Sequence, residues 1–169
     1  QFPDGGWSFD HGLHPDRKGN ASDAGNRRDA RNGATATALL PFLAAGNTHR
    51  TGEYKGVVAR GLEFLSGRIS PQKVRNRPAG GSLWNNGEVT TAHPMGGLVF
   101  AEALAMSGDK RLKPIIQQLA AFSLAAEDPG VGGWNGYQVQ REGETHVTLA
   151  QIQFLFTSGL LGKETRQRT

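Results

Sequence analysis

Three glycine-tryptophan turns, each leading into an apolar stretch of helical period that stops at a glycine, constrain this chain more than any other feature. The turns are Pro3-Asp4-Gly5-Gly6-Trp7, Gly80-Gly81-Ser82-Leu83-Trp84 and Gly130-Val131-Gly132-Gly133-Trp134, and the stretches after them stop at Gly46, Gly108 and Gly159. Glycine just past a helix takes the left-handed conformation without a steric penalty, so these three read as helix ends. Trp84 and Gly108 are 24 positions apart, Trp134 and Gly159 are 25, and Trp7 and Gly46 are 39. The first unit therefore carries an insertion of about 15 residues, placed within Asp10 to Asn32, as repeat units with variable loops allow. The 24 glycines among 169 residues are about twice the usual share. They sit beside tryptophans and after apolar runs, so they punctuate structure.

Periodicity sorts the helical stretches into two kinds. Gly33 to Ala45, Thr91 to Ser107 and Thr145 to Ser158 are apolar nearly all round, and such helices need cover on most sides. Between them lie amphipathic stretches. Tyr54, Val57, Val58, Gly61, Leu62 and Leu65 fall on one face opposite Lys55, Arg60 and Glu63, while Leu112, Ile115, Ile116, Leu119 and Phe122 oppose Lys110, Lys113 and Gln117. Those faces follow the i, i+3, i+4, i+7 rule, and Asp109 is suited to cap the second of them.

The alternation of buried and amphipathic helices predicts an all-α fold. It is a partial α/α toroid of about five helices, three inner and two outer, in antiparallel hairpins with GGW-type turns. Residues 1–169 read as a single toroid segment, a fragment of a larger toroid, with insertion loops at about 10–32 and 68–80. The last inner helix has no outer helix after it to cover Ile152, Phe154, Leu155 and Phe156. Missing chain is the favoured cover, with a second copy or an unusual cap as the others.

No run approaches the roughly 18 apolar residues that a membrane span requires, and Gln1 to Phe9 lacks the order of a signal peptide. A soluble chain is expected, and no residue indicates a compartment. The net charge of +4 traces to Arg68, Lys73, Arg75 and Arg77, which sit without an acid between Arg68 and Gly80. No aromatic residues interleave with these bases, so nucleic acid is not expected as a partner. The stretch reads as a solvated loop, with contact to a membrane surface or an acidic partner as the other use.

Gln1-Phe2-Pro3-Asp4-Gly5-Gly6-Trp7 matches the Q-x3-G-x-W motif and so resembles the squalene and oxidosqualene cyclases. The later turns depart from the motif: Arg68 lies distantly before Trp84, and Glu127 stands where a glutamine would precede Gly132-Gly133-Trp134. Asp29-Ala30-Arg31-Asn32-Gly33-Ala34-Thr35-Ala36-Thr37-Ala38-Leu39-Leu40-Pro41-Phe42-Leu43 more closely resembles the prenyltransferase and squalene-oxidase repeat proteins of planctomycete-type bacteria. The resemblance covers nearly the whole chain and implies the toroid shared by triterpene cyclases, protein prenyltransferase β-subunits and thioester-containing complement domains. A fold of that kind hosts unrelated functions.

Each of those chemistries lacks its residues here. Triterpene cyclisation uses a DxDD-type acid, and none occurs; Asp10, Asp16, Asp23 and Asp29 are spread among arginines and a lysine. Prenyltransferase zinc sites and thioesters both use cysteine, and the chain has none. No catalytic residue, cofactor or metal site is therefore assigned. Asp10, His11, His14 and Asp16 form a weak metal candidate, since oxygen and nitrogen donors alone suit zinc or manganese. Glu88, Glu142 and Glu144 near the helix starts are the carboxylates that glycan chemistry would use, subject to their spacing.

Trp7, Phe9, Trp84, His93, Trp134, Tyr137 and His146 are the ligand-binding candidates. The aromatics suit carbocations or apolar ligands, and the two histidines begin successive inner helices. The expected function is a non-catalytic scaffold or ligand-binding module of the squalene-cyclase-like repeat type, its sharper form binding an apolar or terpenoid small molecule. The alternative is part of a triterpene (squalene-hopene) cyclase-like isomerase whose acid lies outside these residues. Partners expected beyond a ligand are the remainder of the toroid or a second copy.

Overall fold

The computed structural model describes residues 1–10, 30–84, 88, 90–130, 132–135 and 144–160. Five α-helices occur among them: α1 (Arg31–Ala44), α2 (Lys55–Ser66), α3 (Ala92–Ser107), α4 (Lys113–Ala126) and α5 (Thr145–Thr157). A 3-10 turn, Lys110–Leu112, precedes α4, and two strands, β1 (Ser70–Val74) and β2 (Arg77–Ser82), lie between α2 and α3.

The apolar helices make one row, with α3 packed between α1 and α5, while α2 lies on α1 and α4 lies on α3. Leu39, Leu43, Val58, Leu65, Phe100, Leu119, Phe154 and Leu155 meet in one continuous core. Each such side chain contributes about 1.5–3 kcal/mol on burial. Close contact between helices depends on small residues. A methyl carbon added at Gly97 of α3 would stand 2.7 Å from the Phe154 ring of α5, and one at Gly61 of α2 would stand 2.7 Å from Leu39 of α1.

Helix ends follow from the glycines after them. Gly46, Gly108 and Gly159 hold φ values of +84°, +65° and +70°. At the first and third the next residue turns back to close the helix, Asn47 N–H donating to the Phe42 carbonyl at 2.9 Å and Leu160 N–H to that of Leu155 at 3.1 Å. The start of α1 has no local side-chain cap. Glu88 supplies one from a distant part of the chain, accepting the N–H groups of Asn32 at 2.8 Å and Gly33 at 3.0 Å. Burial pushes the Glu88 carboxyl up from its ordinary value, against those two donors. Asp109 accepts from Arg111 N–H at 3.1 Å and so caps the 3-10 turn before α4.

The all-α expectation is corrected here: the chain is mixed α/β, with a two-stranded antiparallel sheet beside the five helices. The sheet occupies the stretch expected as a solvated loop at 68–80. Strand β1 pairs with β2 from Ser70 opposite Ser82 to Val74 opposite Arg77, with a bulge between Pro71 and Lys73. Arg75 and Asn76 both have positive φ, 49° and 62°, the geometry of a two-residue hairpin turn whose twist matches its strands.

The hairpin is held by its neighbour rather than by strand propensity, since proline and glycine are poor strand formers. Val74 and Ala79 bury against Phe122 of α4. Gly80 comes so close to the Gln118 carbonyl that a side chain there would collide with it. Arg75 donates to the carbonyls of Ala125 at 3.1 Å and Glu127 at 2.8 Å, at the C-terminal end of α4, where cations are favoured by the helix dipole. Arg68 lies 4.9 Å from the Phe64 ring. Two of the four bases in this stretch thus have internal roles.

Candidate functional site

The three tryptophan turns are pinned to the helices that follow them, and two use the same device. Trp7 N–H donates to the Thr35 hydroxyl of α1 at 2.9 Å, and Trp134 N–H donates to the Thr148 hydroxyl of α5 at 3.0 Å. The threonines donate onward to the carbonyls of Arg31 and Trp134. Gly133 has φ +81°, and an added carbon there would stand 2.9 Å from the Thr148 oxygen, so turn and helix fit only with glycine.

At the first turn Gln1 bridges outward. Its amide nitrogen donates to the Gly5 and Val57 carbonyls, each at 2.9 Å, and its oxygen accepts from Arg60 of α2 at 2.8 Å. Asp4 and Arg31 form a two-point ion pair with both bonds 2.7 Å, and Arg31 also lies over the Phe2 and Phe64 rings. This guanidinium holds the Asp4 carboxyl down at about 2.

The middle turn is pinned by a histidine instead. The Nδ1 atom of His93 accepts from Leu83 N–H at 3.4 Å and lies 3.3 Å from the Ser82 hydroxyl, while Nε2 is 2.9 Å from the Ser123 hydroxyl of α4. Ser123 in turn donates to the Gln151 side-chain oxygen of α5 at 2.7 Å. A hydroxyl donating to Gln151 accepts from its other neighbour, so the ring carries its proton on Nε2. This chain of bonds runs from β2 through α3 and α4 to α5. His93 is 2% exposed, packed edge-on against Phe122, and burial drives its pKa down to about 3. The ring is therefore neutral at pH 7.

Next to His93 lies a cavity of about 20 Å³, bounded by Trp84, Phe122, Trp134, Val147 and Gln151. A space of this size holds about one water. The Trp134 indole N–H is used inside the wall, donating to the Ser123 carbonyl at 2.6 Å.

The structure thus brings Trp84, His93 and Trp134 together and places Trp7, Phe9 and His146 apart from them. Trp7 belongs to a half-buried aromatic ladder with Phe42 at 6.3 Å, which continues to Tyr54 at 5.3 Å. Phe9 is half-buried elsewhere in the first turn. His146 is 63% exposed, 3.3 Å from Glu144 and 3.1 Å from the Thr90 hydroxyl, which also borders the cavity. Tyr137 lies outside the described residues, as do His11, His14 and Asp16 of the metal candidate. Asp10 is buried, its N–H donating to the Ser8 hydroxyl at 3.0 Å. Among the described residues no three metal-ligating side chains gather, and no helix is long and apolar enough to cross a membrane.

Ser123 and Gln151 were not singled out by the sequence reasoning, although a signal was present. Each is a polar residue on an otherwise apolar face, and buried polar groups require partners. In a second cluster Asp109 was expected as a helix cap, while its partners His49 and Arg111 were not singled out. The Asp109 carboxylate accepts Arg111 Nη2 at 2.6 Å and His49 Nε2 at 2.9 Å beside a cleft of about 270 Å³ floored by Leu62, Phe100, Leu112 and Ile115. Its two partners hold Asp109 well below the ordinary carboxylate range.

No family model, curated protein or solved structure matches this chain.

Proposed function

We propose that the chain serves as a non-catalytic scaffold of the squalene-cyclase-like repeat type. One observation carries this reading: the polar groups at the tryptophan turns are spent on holding the helices to one another, and the space beside them is water-sized. A general acid or base must reach a substrate proton. Both ring nitrogens of His93 are engaged, Nδ1 by Leu83 and Ser82 and Nε2 by Ser123, and its burial opposes protonation. A terpenoid has no room in that cavity.

The test is to incubate the full chain with detergent-dispersed squalene, analyse extracts by gas chromatography with mass detection, and titrate tryptophan fluorescence in parallel. The expected outcome is unchanged squalene and no saturable quenching. A cyclised product, or saturable quenching that Trp134→Phe removes, would overturn the scaffold reading.

A further inference from the structure

Helices α2 and α4 lie on neighbouring members of the apolar row, and the cleft of about 270 Å³ opens to solvent between them. Its floor combines Leu62 of α2, Phe100 of α3, Leu112 of the 3-10 turn and Ile115 of α4. An apolar cavity of about 150 Å³ admits benzene, so this larger space admits a ring of that size with a short chain attached. An apolar floor with a few polar groups converging on it is the usual form of a small-molecule site.

The polar groups decide what head the ligand carries. Four titratable side chains line the cleft: His49, Glu63, Asp109 and Arg111. Asp109 and Arg111 neutralise each other, since Nε and Nη2 of the guanidinium both donate to the carboxylate, at 2.9 and 2.6 Å. The rest of the Arg111 side chain is turned to solvent, 81% exposed. His49 gives its Nε2 proton to the same carboxylate. In the neutral ring this leaves Nδ1 as an acceptor, and Nδ1 is buried without a partner among the described residues. Glu63 stands on the α2 wall, exposed, and enters no ion pair among the described residues. Arg60, one turn before it, donates to the Gln1 oxygen instead. Lys110 and Lys113 are exposed outside the lining. Glu63 is thus the charge of the lining that lacks a counter-charge, and both it and His49 Nδ1 call for a donor.

We propose that this cleft is a binding site for a small amphipathic amine, its apolar body on Leu62, Phe100, Leu112 and Ile115 and its ammonium group at Glu63. A carboxylate of the same size would meet two like charges, Glu63 and Asp109, with Arg111 already engaged. A neutral alcohol gains the floor alone. Because Glu63 is exposed, its pairing with the ammonium adds about two- to fivefold in affinity, and most of the binding comes from the apolar area covered. The cleft is separate from the water-sized space at the tryptophan turns. The inference therefore stands or falls independently of the scaffold reading.

The experiment is isothermal titration calorimetry of the full chain with three probes that share one body: phenylbutylamine, phenylbutanol and phenylbutyrate. Affinity is expected to fall in that order, the amine binding about two- to fivefold tighter than the alcohol. Glu63→Gln is expected to bring the amine down to the alcohol and to leave the alcohol unchanged. The position is exposed, and circular dichroism melts confirm that the variant folds. Added salt is expected to weaken the amine and spare the alcohol. Amide resonances locate the site: with the amine, shifts are expected at Leu62, Phe100 and Leu112 and not at Trp134. No saturable heat with the amine, a carboxylate bound as tightly as the amine, an amine indifferent to Glu63→Gln, or shifts centred on Trp134 would each overturn the proposal.

Discussion

Helices α3 and α5 are both strongly apolar, both begin after a tryptophan turn, and both stop at a left-handed glycine, yet one is enclosed and the other is open. Ten of the 16 residues of α3 are buried, against four of the 13 of α5. The difference lies in their neighbours, since α3 has α1 on one side, α5 on the other and α4 across it, whereas α5 packs chiefly on α3. Apolar composition states that a helix needs cover. Its position in the row decides whether the cover is present.

The sharpest way to break the comparison is within α5 itself, where neighbouring ring positions face opposite environments. Phe154→Ala is expected to destabilise by about 3–5 kcal/mol, because it empties the notch formed by Gly97 on α3. Phe156→Ala at low protein concentration is expected to change stability by less than about 0.5 kcal/mol. Urea denaturation of the two variants checks both, and equal effects would show that α5 is not seated as described.

The next largest effect concerns the pin through His93. Its folded pKa lies near 3, below the ordinary 6.5, so the unfolded chain binds the extra proton first as pH falls. The contribution is complete above about pH 6.5 and is lost progressively toward pH 3, to an extent on the order of 4 kcal/mol. Melting curves from pH 7 to pH 3 should fall steeply, and His93→Gln should flatten the slope at some cost in stability at pH 7. A slope unaltered by that substitution would remove His93 from the account.

Smaller effects separate the turns. Thr148→Val leaves the Trp134 N–H without its acceptor, and Thr35→Val does the same to Trp7; each is expected to cost about 1–2 kcal/mol. Hydrogen exchange at the two tryptophan amides reads the change directly, and unaltered protection would show that the threonines are not the acceptors.

The smallest effect is at Asp4. Its carboxyl is held at about 2 by Arg31, so its contribution is present above about pH 4 and is lost as pH falls through about 2. With side chains 28% and 46% exposed, the pair is discounted to below about 1 kcal/mol. Asp4→Asn should trim the acid-side loss of stability by that amount, as measured by acid titration of the helical signal.

The helices, and the ends of the three apolar ones, were legible in the sequence because they depend on local chemistry: apolar side chains at helical spacing, and glycine where the chain must turn left. The hairpin from Ser70 to Ser82 was not, because its strands contain Pro71, Pro78, Gly80 and Gly81 and carry almost no strand propensity. Their order comes from Phe122 and from the open C-terminal end of α4, which Arg75 caps. At the site, Trp84, His93 and Trp134 were identifiable by residue type, but their roles were not. The sequence places His93 at the start of an inner helix as a ligand-binding candidate, and only packing reveals a dry, neutral ring bound on both nitrogens. Glu88 shows the same limit, since a carboxylate 56 residues from its partner Asn32 becomes a helix cap only once α1 and the middle turn are adjacent.

By itself the sequence determined where this chain would be helical, where the three apolar helices would stop, which faces would seek cover, and that cysteine chemistry was closed to it. Those properties reside in side-chain periodicity and in backbone freedom at single residues. Only the tertiary structure decided that the stretch at 68–80 is a β-hairpin, that Trp84 and Trp134 border a water-sized space while Trp7 does not, and that α5 presents Leu149, Ile152 and Phe156 outward. Each of these depends on which elements meet, and burial, pKa and strand pairing are properties of the meeting rather than of any one segment.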